Sequence, residues 1–138
     1  MDKKRLSWDE LAIGLAKVAA ERSEDPYRKV GAVAMDKEHR VLGVAYNGLA
    51  SGKNVDDSFW VDRDERRPYM IHAEQNLCTL FKKGEAQIVA CTLLPCSSCA
   101  TLLAAHGIKK VIYFEEYNLD QLSKKIFDFY NIELLKIN

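Results

Sequence analysis

The chain has 138 residues, in which 20 lysines and arginines balance 20 aspartates and glutamates, and 48% of the residues are hydrophobic. This length is close to the commonest size of one domain, so we expect residues 1–138 to form a single domain with an ordinary core. The neutral balance lacks the basic footprint of a nucleic-acid-binding protein, which favours a small-molecule substrate over a nucleic-acid polymer.

The N-terminus and the cysteines indicate the compartment. The first five residues lead into an amphipathic segment rather than a continuous apolar signal region, and no run is long and apolar enough to span a membrane. We therefore expect a cytoplasmic protein with no membrane partner, in the host cytoplasm if the protein is viral. In that reducing setting Cys78 and Cys91 are predicted to be buried free thiols rather than disulfide partners or ligands.

Two patterns predict the structure of the N-terminal part. Ser7 and Glu10 form a capping-box pattern before an apolar repeat of helical spacing, which predicts a helix over residues 8–22. Apolar runs at residues 30–35 and 40–46, separated by a short polar turn, predict an antiparallel hairpin.

A long polar segment follows, from residue 47 to about residue 67. A structureless loop of this length is uncommon in a compact domain and is usually functional. Its acids lie close to Arg63, Arg66 and Arg67, so the alternative is a tolerated insertion whose charges are solvated.

The remaining chain alternates helical and strand patterns. The helices are predicted at residues 71–83, 97–106 and 118–130, and the strands at residues 87–94, 109–114 and 132–137. A full helix between two adjacent strands requires a crossover, so these strands are predicted to run parallel. The expected architecture is a three-layer α/β domain with a five-stranded mixed sheet.

Two short motifs indicate a metal site. His72 offers one nitrogen ligand, and Cys96 and Cys99 offer two thiolates at a spacing that lets both bind one ion. Three protein ligands are typical of a catalytic zinc, which keeps its fourth position for water, whereas a structural zinc normally has four. Glu74 is then a carboxylate beside the metal with no ligand role, which suits a proton carrier.

The predicted helix starts favour metal binding at these residues. His72 begins one helix, and Cys96 and Cys99 begin another, where free amide donors and the helix dipole lower a cysteine's pKa. A redox pair or half of a structural zinc site is the alternative for the two cysteines alone. However, Cys78 and Cys91 form no second Cys-x-x-Cys pair, and a redox pair leaves His72 unexplained.

These motifs resemble the cytidine and deoxycytidylate deaminase superfamily. The resemblance is carried by residues 72–76, His-Ala-Glu-Gln-Asn, and by residues 95–100, Pro-Cys-Ser-Ser-Cys-Ala. A narrower similarity to the deoxycytidylate deaminase branch rests on residues 22–26, 30–32, 46–48, 51–52, 56–57, 69 and 107–112. Together these blocks cover almost the whole chain in the family's order.

The resemblance implies a fold and a reaction. The fold is the three-layer α/β/α cytidine-deaminase-like fold, and the reaction is zinc-dependent hydrolysis of dCMP to dUMP and ammonia, which supplies dUMP for thymidylate synthesis. By the same resemblance His72, Cys96 and Cys99 bind Zn²⁺. Glu74 takes a proton from the zinc-bound water, gives one to the ring nitrogen and assists the loss of ammonia.

The resemblance also implies substrate contacts. Asn47 matches an asparagine that holds the substrate near its sugar, although Asn-Gly is also a common turn pair. The backbone of Ala73 and Leu94 matches positions that recognise the pyrimidine edge. Tyr117 matches an aromatic residue close to the nucleotide, where simple packing is the alternative. Part of the phosphate recognition falls on four residues that would otherwise form a solvated loop: Arg22, Ser23, Arg28 and Lys29.

Regulation and assembly are implied in the same way. Many members are hexamers that dCTP activates and dTTP inhibits, and a triphosphate effector would bring Mg²⁺ with it. The loop after Asn47 and the end of the second helix take part, and the matching residues are Gly48, Ser51, Gly52 and Lys83. Ala50 replaces the family's usual proline in that loop, which bears on regulation and not on catalysis. We find no clear ligand set for the second, structural zinc of longer members.

Other deaminases share parts of the pattern. A deaminase of tRNA adenosine has the zinc motifs but usually needs a basic surface, and free cytidine deaminases typically have cysteine in place of His72. Guanine deaminases lack the block at residues 22–31. The non-enzymatic alternative is a zinc-stabilised nucleotide-binding module, against which Glu74 argues because a structural site has no need of that carboxylate. Release of ammonia from dCMP separates these alternatives.

Overall fold

The computed structural model describes residues 4–116 and 121–138. The α-helices in these ranges are α1 (Trp8–Ala20), α2 (Arg63–Arg66), α3 (Ala73–Leu77), α4 (Ser97–Ala105) and α5 (Leu122–Phe129). The strands are β1 (Gly31–Met35), β2 (Val41–Tyr46), β3 (Ile88–Leu93), β4 (Lys110–Glu115) and β5 (Glu133–Lys136). Short 3₁₀ helices, Asp57–Trp60 and Arg67–Tyr69, lie on either side of α2. No helix in the described ranges has the length and apolar character needed to cross a membrane.

The strands form one mixed sheet in the order β2-β1-β3-β4-β5. β1 pairs antiparallel with both β2 and β3, and the first of these pairs is the predicted hairpin. β3, β4 and β5 run parallel, because α4 and α5 provide the crossovers between them. The predicted α/β class and five-stranded mixed sheet are therefore confirmed.

Alternate residues of the central strands face opposite sides of the sheet, which gives three layers. Val33, Ala90 and Ile112 pack with α1 on one side. Val111 and its same-face neighbours pack on the other side with buried residues of α3, α4 and α5: Leu77, Leu103 and Phe127. The core thus lies on both faces of the sheet, and its layers are those predicted.

A close approach between α1 and β1 fixes the amino end of β1. A Cβ atom on Gly31 would lie 1.9 Å from the Ala16 carbonyl oxygen and 2.7 Å from the Ala20 backbone nitrogen, so a larger residue does not fit here. The Gly31 N–H donates to Thr92 Oγ1 at 3.1 Å. The start of β1 is therefore held beside the end of β3.

The helix after residue 71 is much shorter than predicted. We expected it to span residues 71–83, but α3 ends at Leu77 and Lys83 lies in a later turn. The chain tightens after Leu77, because Thr79 N–H bonds to the Asn76 carbonyl and the Thr79 hydroxyl donates to the same oxygen at 2.6 Å. A threonine hydroxyl that competes for a helical carbonyl favours such an ending.

The polar segment after residue 47 is not structureless, which corrects the predicted loop. It contains α2 and both 3₁₀ helices, and the Asp62 side chain caps α2 by accepting from Asp64 N–H and Glu65 N–H. Phe59 lies edge-on to Trp60 with ring centroids 5.1 Å apart. These aromatic and capping contacts are local, and they give the segment a defined shape.

The other boundaries lie close to the predictions. α1 ends two residues earlier than expected, and α4 begins at the predicted Ser97. Gly107, with φ of 84°, follows α4 in the left-handed conformation expected of a helix stop. The first residues of the helix predicted at 118–130 lie outside the described ranges, as does Tyr117.

Candidate active site

The site lies where α3 and α4 begin, beside the end of β3. His72 is the N-cap residue of α3, and Cys96 is the N-cap residue of α4. Pro95 separates β3 from α4, so the chain turns sharply between the buried strand and the first cysteine. The fold therefore brings two segments that are 24 residues apart in sequence into contact.

Backbone and side-chain hydrogen bonds fix the position of His72. Gly48 and Ile71 exchange backbone hydrogen bonds of 3.0 and 2.8 Å immediately before it. The His72 N–H donates to Gln75 Oε1 at 2.8 Å. Asn76 Nδ2 donates at 2.9 Å to the carbonyl of the last residue of β2. The imidazole is thus presented from a backbone that is tied to the sheet.

The predicted ligands His72, Cys96 and Cys99 lie together. His72 Nδ1 is 3.6 Å from Cys96 Sγ and 3.3 Å from Cys99 Sγ. One nitrogen and two sulfurs all lie within 4.8 Å of one another, close enough to hold one metal ion.

Hydrogen bonds concentrate negative charge on Cys96. The pKa of Cys96 is lowered to about 3, because the Cys99 thiol donates to its sulfur and His72 and Ser98 add further hydrogen bonds. The pKa of Cys99 is raised by its hydrogen bond to Cys96 and by burial. The pKa of His72 is raised by its hydrogen bond to Cys96. A thiolate with two further ligand atoms beside it is a favourable place for a cation.

The donor set fits zinc. Two soft sulfurs and one imidazole suit Zn²⁺ better than hard cations such as Mg²⁺, which prefer oxygen ligands. A cation held by these residues would take the place of the protons that Cys99 and His72 retain, since metal ligands bind in their deprotonated forms. Three donors are the number expected of a catalytic zinc site rather than a closed structural one.

Glu74 is a buried carboxyl next to this cluster. Glu74 is only 4% exposed, yet it lines the same pocket as His72 and Cys96. Burial raises the pKa of Glu74 to about 7. A carboxyl with a pKa near neutrality can both accept and donate a proton at physiological pH, which is the property that general acid–base chemistry requires.

The pocket is a cavity of about 240 Å³. This volume suits one small molecule and is below the range of about 300–1,000 Å³ typical of drug-sized ligands. Ala73 and Leu94 lie in its lining, beside His72 and Glu74. The pocket therefore adjoins the metal-binding cluster and the buried carboxyl at once.

Asn47 also lines the pocket and organises its wall. Its Oδ1 accepts from Val30 N–H at 2.9 Å, and its Nδ2 donates to the Arg28 carbonyl at 2.9 Å. These bonds hold the chain before β1 against the end of β2. One lone pair on Oδ1 and one hydrogen on Nδ2 remain for a ligand.

The residues predicted to bind phosphate separate into three kinds of position. Arg28 lines the pocket. Ser23 is buried behind it, where its hydroxyl donates to the Asn47 carbonyl at 2.9 Å. Arg22 and Lys29 are exposed and lie outside the pocket lining. The prediction of Tyr117 as a nucleotide neighbour falls outside the described residues.

The residues predicted for regulation lie away from the pocket lining. Gly48 is the bridge partner of Ile71, and Gly52 has φ of 87° in the following turn. Ser51 and Lys83 are exposed.

The sequence reasoning missed a buried ion pair in the pocket wall. Arg66 Nη1 lies 3.0 Å from Asp25 Oδ2, and both side chains are almost fully buried. Arg63 and Arg67 line the same pocket, which argues against the alternative of a tolerated insertion whose charges are solvated. The available signal was the close spacing of arginines with Trp60 and Tyr69, which is unusual for a purely solvated segment.

Comparison with known proteins agrees with the site. The family described as "Cytidine and deoxycytidylate deaminase zinc-binding region" matches residues 6–115. Deoxycytidylate deaminase of Mycobacterium phage D29 is 34% identical over 131 residues, covering 81% of this chain and 98% of the phage protein. The human deoxycytidylate deaminase is 34% identical over 120 residues, covering 80% of this chain and 66% of the human protein.

A solved structure shares the fold. The apo crystal structure of dCMP deaminase from cyanophage S-TIM5 has a TM-score of 0.75 and 25% sequence identity, and the match covers 94% of this chain and 96% of that one. The family match includes both the histidine motif and the cysteine motif that form the cluster described above. The chain belongs to the cytidine and deoxycytidylate deaminase family.

Proposed function

We propose that this chain catalyses the zinc-dependent hydrolysis of dCMP to dUMP and ammonia. The observation that carries the proposal is the position of Glu74, a buried carboxyl in a small pocket beside a cluster of three metal-binding side chains. A structural metal site has no need of such a carboxyl, whereas hydrolysis needs a group that moves protons. The names of the phage, human and cyanophage relatives support dCMP as the substrate.

Glu74 moves the protons of this reaction. Zinc held by His72, Cys96 and Cys99 would act as a Lewis acid and lower the pKa of water in the site to about 7. The Glu74 carboxylate accepts a proton from the attacking water and delivers it to the ring nitrogen beside the amino-bearing carbon. The water oxygen bonds to that carbon, the π bond between the carbon and the ring nitrogen breaks in favour of the new N–H bond, and the carbon becomes tetrahedral. Glu74 then carries the proton of the new hydroxyl group to the amino group. The C–N bond breaks, its electron pair leaves with ammonia, and the oxygen forms the C=O bond of the product.

The pocket lining supplies groups for substrate recognition. The Ala73 and Leu94 backbones contact the pyrimidine edge in this proposal, and Asn47 contacts the sugar. Asn47 suits that role because its side chain is already fixed by two hydrogen bonds and still has one donor and one acceptor position left. A preorganised amide loses little freedom when a ligand binds.

A substrate panel tests the proposed reaction. We expect the zinc-loaded protein to release ammonia from dCMP far faster than from CMP, deoxycytidine, dCTP or guanine, measured with a coupled ammonia assay. Deoxycytidine tests the need for the phosphate, CMP tests the 2′ position, and guanine tests the ring. Preferred turnover of guanine or of deoxycytidine would overturn dCMP as the substrate. Absence of turnover with all five would favour a binding module.

Regulation and assembly form a second part of the proposal. The chain forms a homo-oligomer, taken as a hexamer, in which dCTP with Mg²⁺ activates and dTTP inhibits. The backbone bridge between Gly48 and Ile71 supports this idea, because it connects the loop containing Ser51 and Gly52 directly to the residue before His72. Each effector must bind two states of the oligomer with different affinities, since equal affinities shift no equilibrium.

Kinetics test the regulatory proposal. We expect sigmoidal dCMP saturation that dTTP sharpens and dCTP makes nearly hyperbolic. Lys83→Ala should weaken the effector response by more than it changes maximal turnover, because Lys83 is an exposed cation outside the pocket. Lys37→Ala, in the exposed turn between β1 and β2, is the matched control. Hyperbolic kinetics that neither triphosphate changes would contradict the proposal.

A further inference from the structure

The lining of the pocket is rich in arginine. Four arginines line it, and the carboxylates in the lining are Asp25 and Glu74. Asp25 is already paired with Arg66. Among the described residues, the lining therefore has an excess of positive charge that the chemistry at Glu74 does not use.

The ion pair between Asp25 and Arg66 ties two parts of the wall together. Asp25 Oδ2 accepts from Arg66 Nη1 at 3.0 Å, while Asp25 Oδ1 accepts from Tyr27 N–H at 2.8 Å and Arg28 N–H at 3.2 Å. One carboxylate thus fixes both the turn that carries Arg28 and the helix α2 that carries Arg66. Because the pair is buried, this arrangement is highly sensitive to the loss of either partner.

Arg66 is held on its faces as well. Its guanidinium carbon lies 4.9 Å from the Tyr27 ring centroid and 5.4 Å from the Trp60 ring centroid. Its Nε is buried, and no hydrogen-bond partner for it exists among the described residues. Arg66 therefore has a fixed orientation in the pocket wall and retains one unused donor.

The two neighbouring arginines differ from Arg66 in their environment. Arg63 and Arg67 are exposed, line the pocket, and make no ion pair within the described part of the chain. They lie on α2 and the following 3₁₀ helix, which Arg66 docks against the rest of the wall. A planar guanidinium presents paired donors that match phosphate oxygens.

We propose that Arg63 and Arg67 bind the 5′-phosphate of the substrate, and that Arg66, through its buried pair with Asp25, is the positioning residue that holds them in the pocket wall. This inference rests on the proposed function. The pyrimidine has to reach Glu74, and Arg63 and Arg67 line the same pocket, so they are available to the phosphate at the other end of the nucleotide. The segment 57–69 then selects nucleotides over nucleosides, and is not solvated surface.

Single substitutions of the exposed arginines test the phosphate contact. We expect Arg63→Ala and Arg67→Ala each to lower kcat/KM for dCMP roughly tenfold to a hundredfold, the range of a charge-assisted hydrogen bond, mainly through KM. The rate with deoxycytidine, which has no phosphate, should not change. Arg40→Ala is the matched control, because Arg40 is exposed and lies in the turn between β1 and β2.

Binding of the product gives a readout without turnover. Calorimetric titration should show that the Arg63 and Arg67 variants bind dUMP more weakly than the unaltered chain does. The Arg40→Ala control should bind dUMP as tightly as the unaltered chain. Deoxyuridine binding should be equal in all of them. Equal dUMP affinity in all the proteins would overturn the inference.

The positioning pair needs variants of its own. Asp25→Asn keeps an oxygen for the Tyr27 and Arg28 amides but removes the negative charge that faces Arg66. Arg66→Lys keeps the positive charge but removes the planar guanidinium with its paired donors. Both should reduce the preference for dCMP over deoxycytidine by roughly tenfold or more, as loss of the neighbouring arginines does. Equal losses for dCMP and deoxycytidine, with a lowered melting temperature, would show a merely structural role and overturn this part.

The inference and the proposed function fail in different ways. If the unaltered chain releases no ammonia from dCMP, the proposed function is wrong. If it deaminates dCMP while the Arg63 and Arg67 variants keep the full preference for the nucleotide, the inference is wrong and the function stands. The Arg63 and Arg67 variants decide this even if the Arg66 variants do not fold, because their side chains are exposed.

Discussion

Glu74→Gln is expected to abolish nearly all turnover of dCMP while leaving the fold and the metal content intact. Glutamine has the same shape as glutamate but cannot accept and release a proton at neutral pH. General acid–base catalysis by one positioned group is worth about 100- to 10,000-fold, so a loss in this range is expected. Steady-state ammonia release by zinc-loaded protein measures it.

The surroundings of Glu74 indicate that Glu74→Gln should change proton transfer without changing stability or metal binding. Its side chain is buried and is not one of the three clustered ligands. Burial raises the pKa of Glu74 to about 7, so an amide, which is neutral at every pH, should not destabilise the pocket by leaving a buried charge unpaired. Melting temperature and zinc content should therefore match the unaltered chain.

A matched control separates proton transfer from loss of charge. Glu133→Gln makes the same change at an exposed residue of strand β5 that is not part of the pocket lining, and it should keep normal turnover. If zinc-loaded Glu74→Gln retained near-normal activity, another group would have to carry the proton and the proposed mechanism would be wrong.

The parts of the site that the sequence predicted are those encoded in short motifs. Glu74 follows His72 by two positions and Cys99 follows Cys96 by three, so a local pattern is sufficient to relate the members of each pair. The expectation that both motifs bind one metal ion used one further rule, that helix starts favour such ligands, because each motif lies at the start of a predicted helix. The alternation of helix and strand after residue 71 similarly determined the parallel part of the sheet.

The parts that were missed depend on contacts between distant residues. Arg66 and Asp25 are 41 residues apart, and nothing local to either residue shows that the other buries and neutralises it. The sequence therefore left solvated charge open as an alternative for this segment, because neither the buried pair nor the contacts of Arg66 with Tyr27 and Trp60 follow from a local pattern.

The early end of α3 has a different cause. Its apolar spacing continued past Leu77, which predicted a longer helix, but the Thr79 hydroxyl competes for a helical carbonyl. The periodicity of apolar residues indicates which face of a helix is buried, but it does not indicate where a side chain competes for a helical hydrogen bond.

Cys96→Ala is expected to lose both zinc and turnover. Two ligands from His72 and Cys99 would remain, and the one member of the three-residue cluster whose pKa is lowered would be gone. We expect substoichiometric zinc by metal analysis and activity no higher than that of Glu74→Gln. Because a ligand that binds only the folded state stabilises it, a chelator should lower the melting temperature of the unaltered chain but not that of Cys96→Ala.

The two remaining cysteines are the controls for this prediction. Burial raises the pKa of Cys78 to about 11 and raises the pKa of Cys91 well above its usual value, so both stay protonated thiols at neutral pH and are poor zinc ligands. Neither belongs to the three-residue cluster. Cys78→Ala and Cys91→Ala should therefore keep a full equivalent of zinc and the ability to deaminate dCMP. Full zinc in Cys96→Ala, or its loss from Cys78→Ala, would mean that the metal is held by a different set of residues.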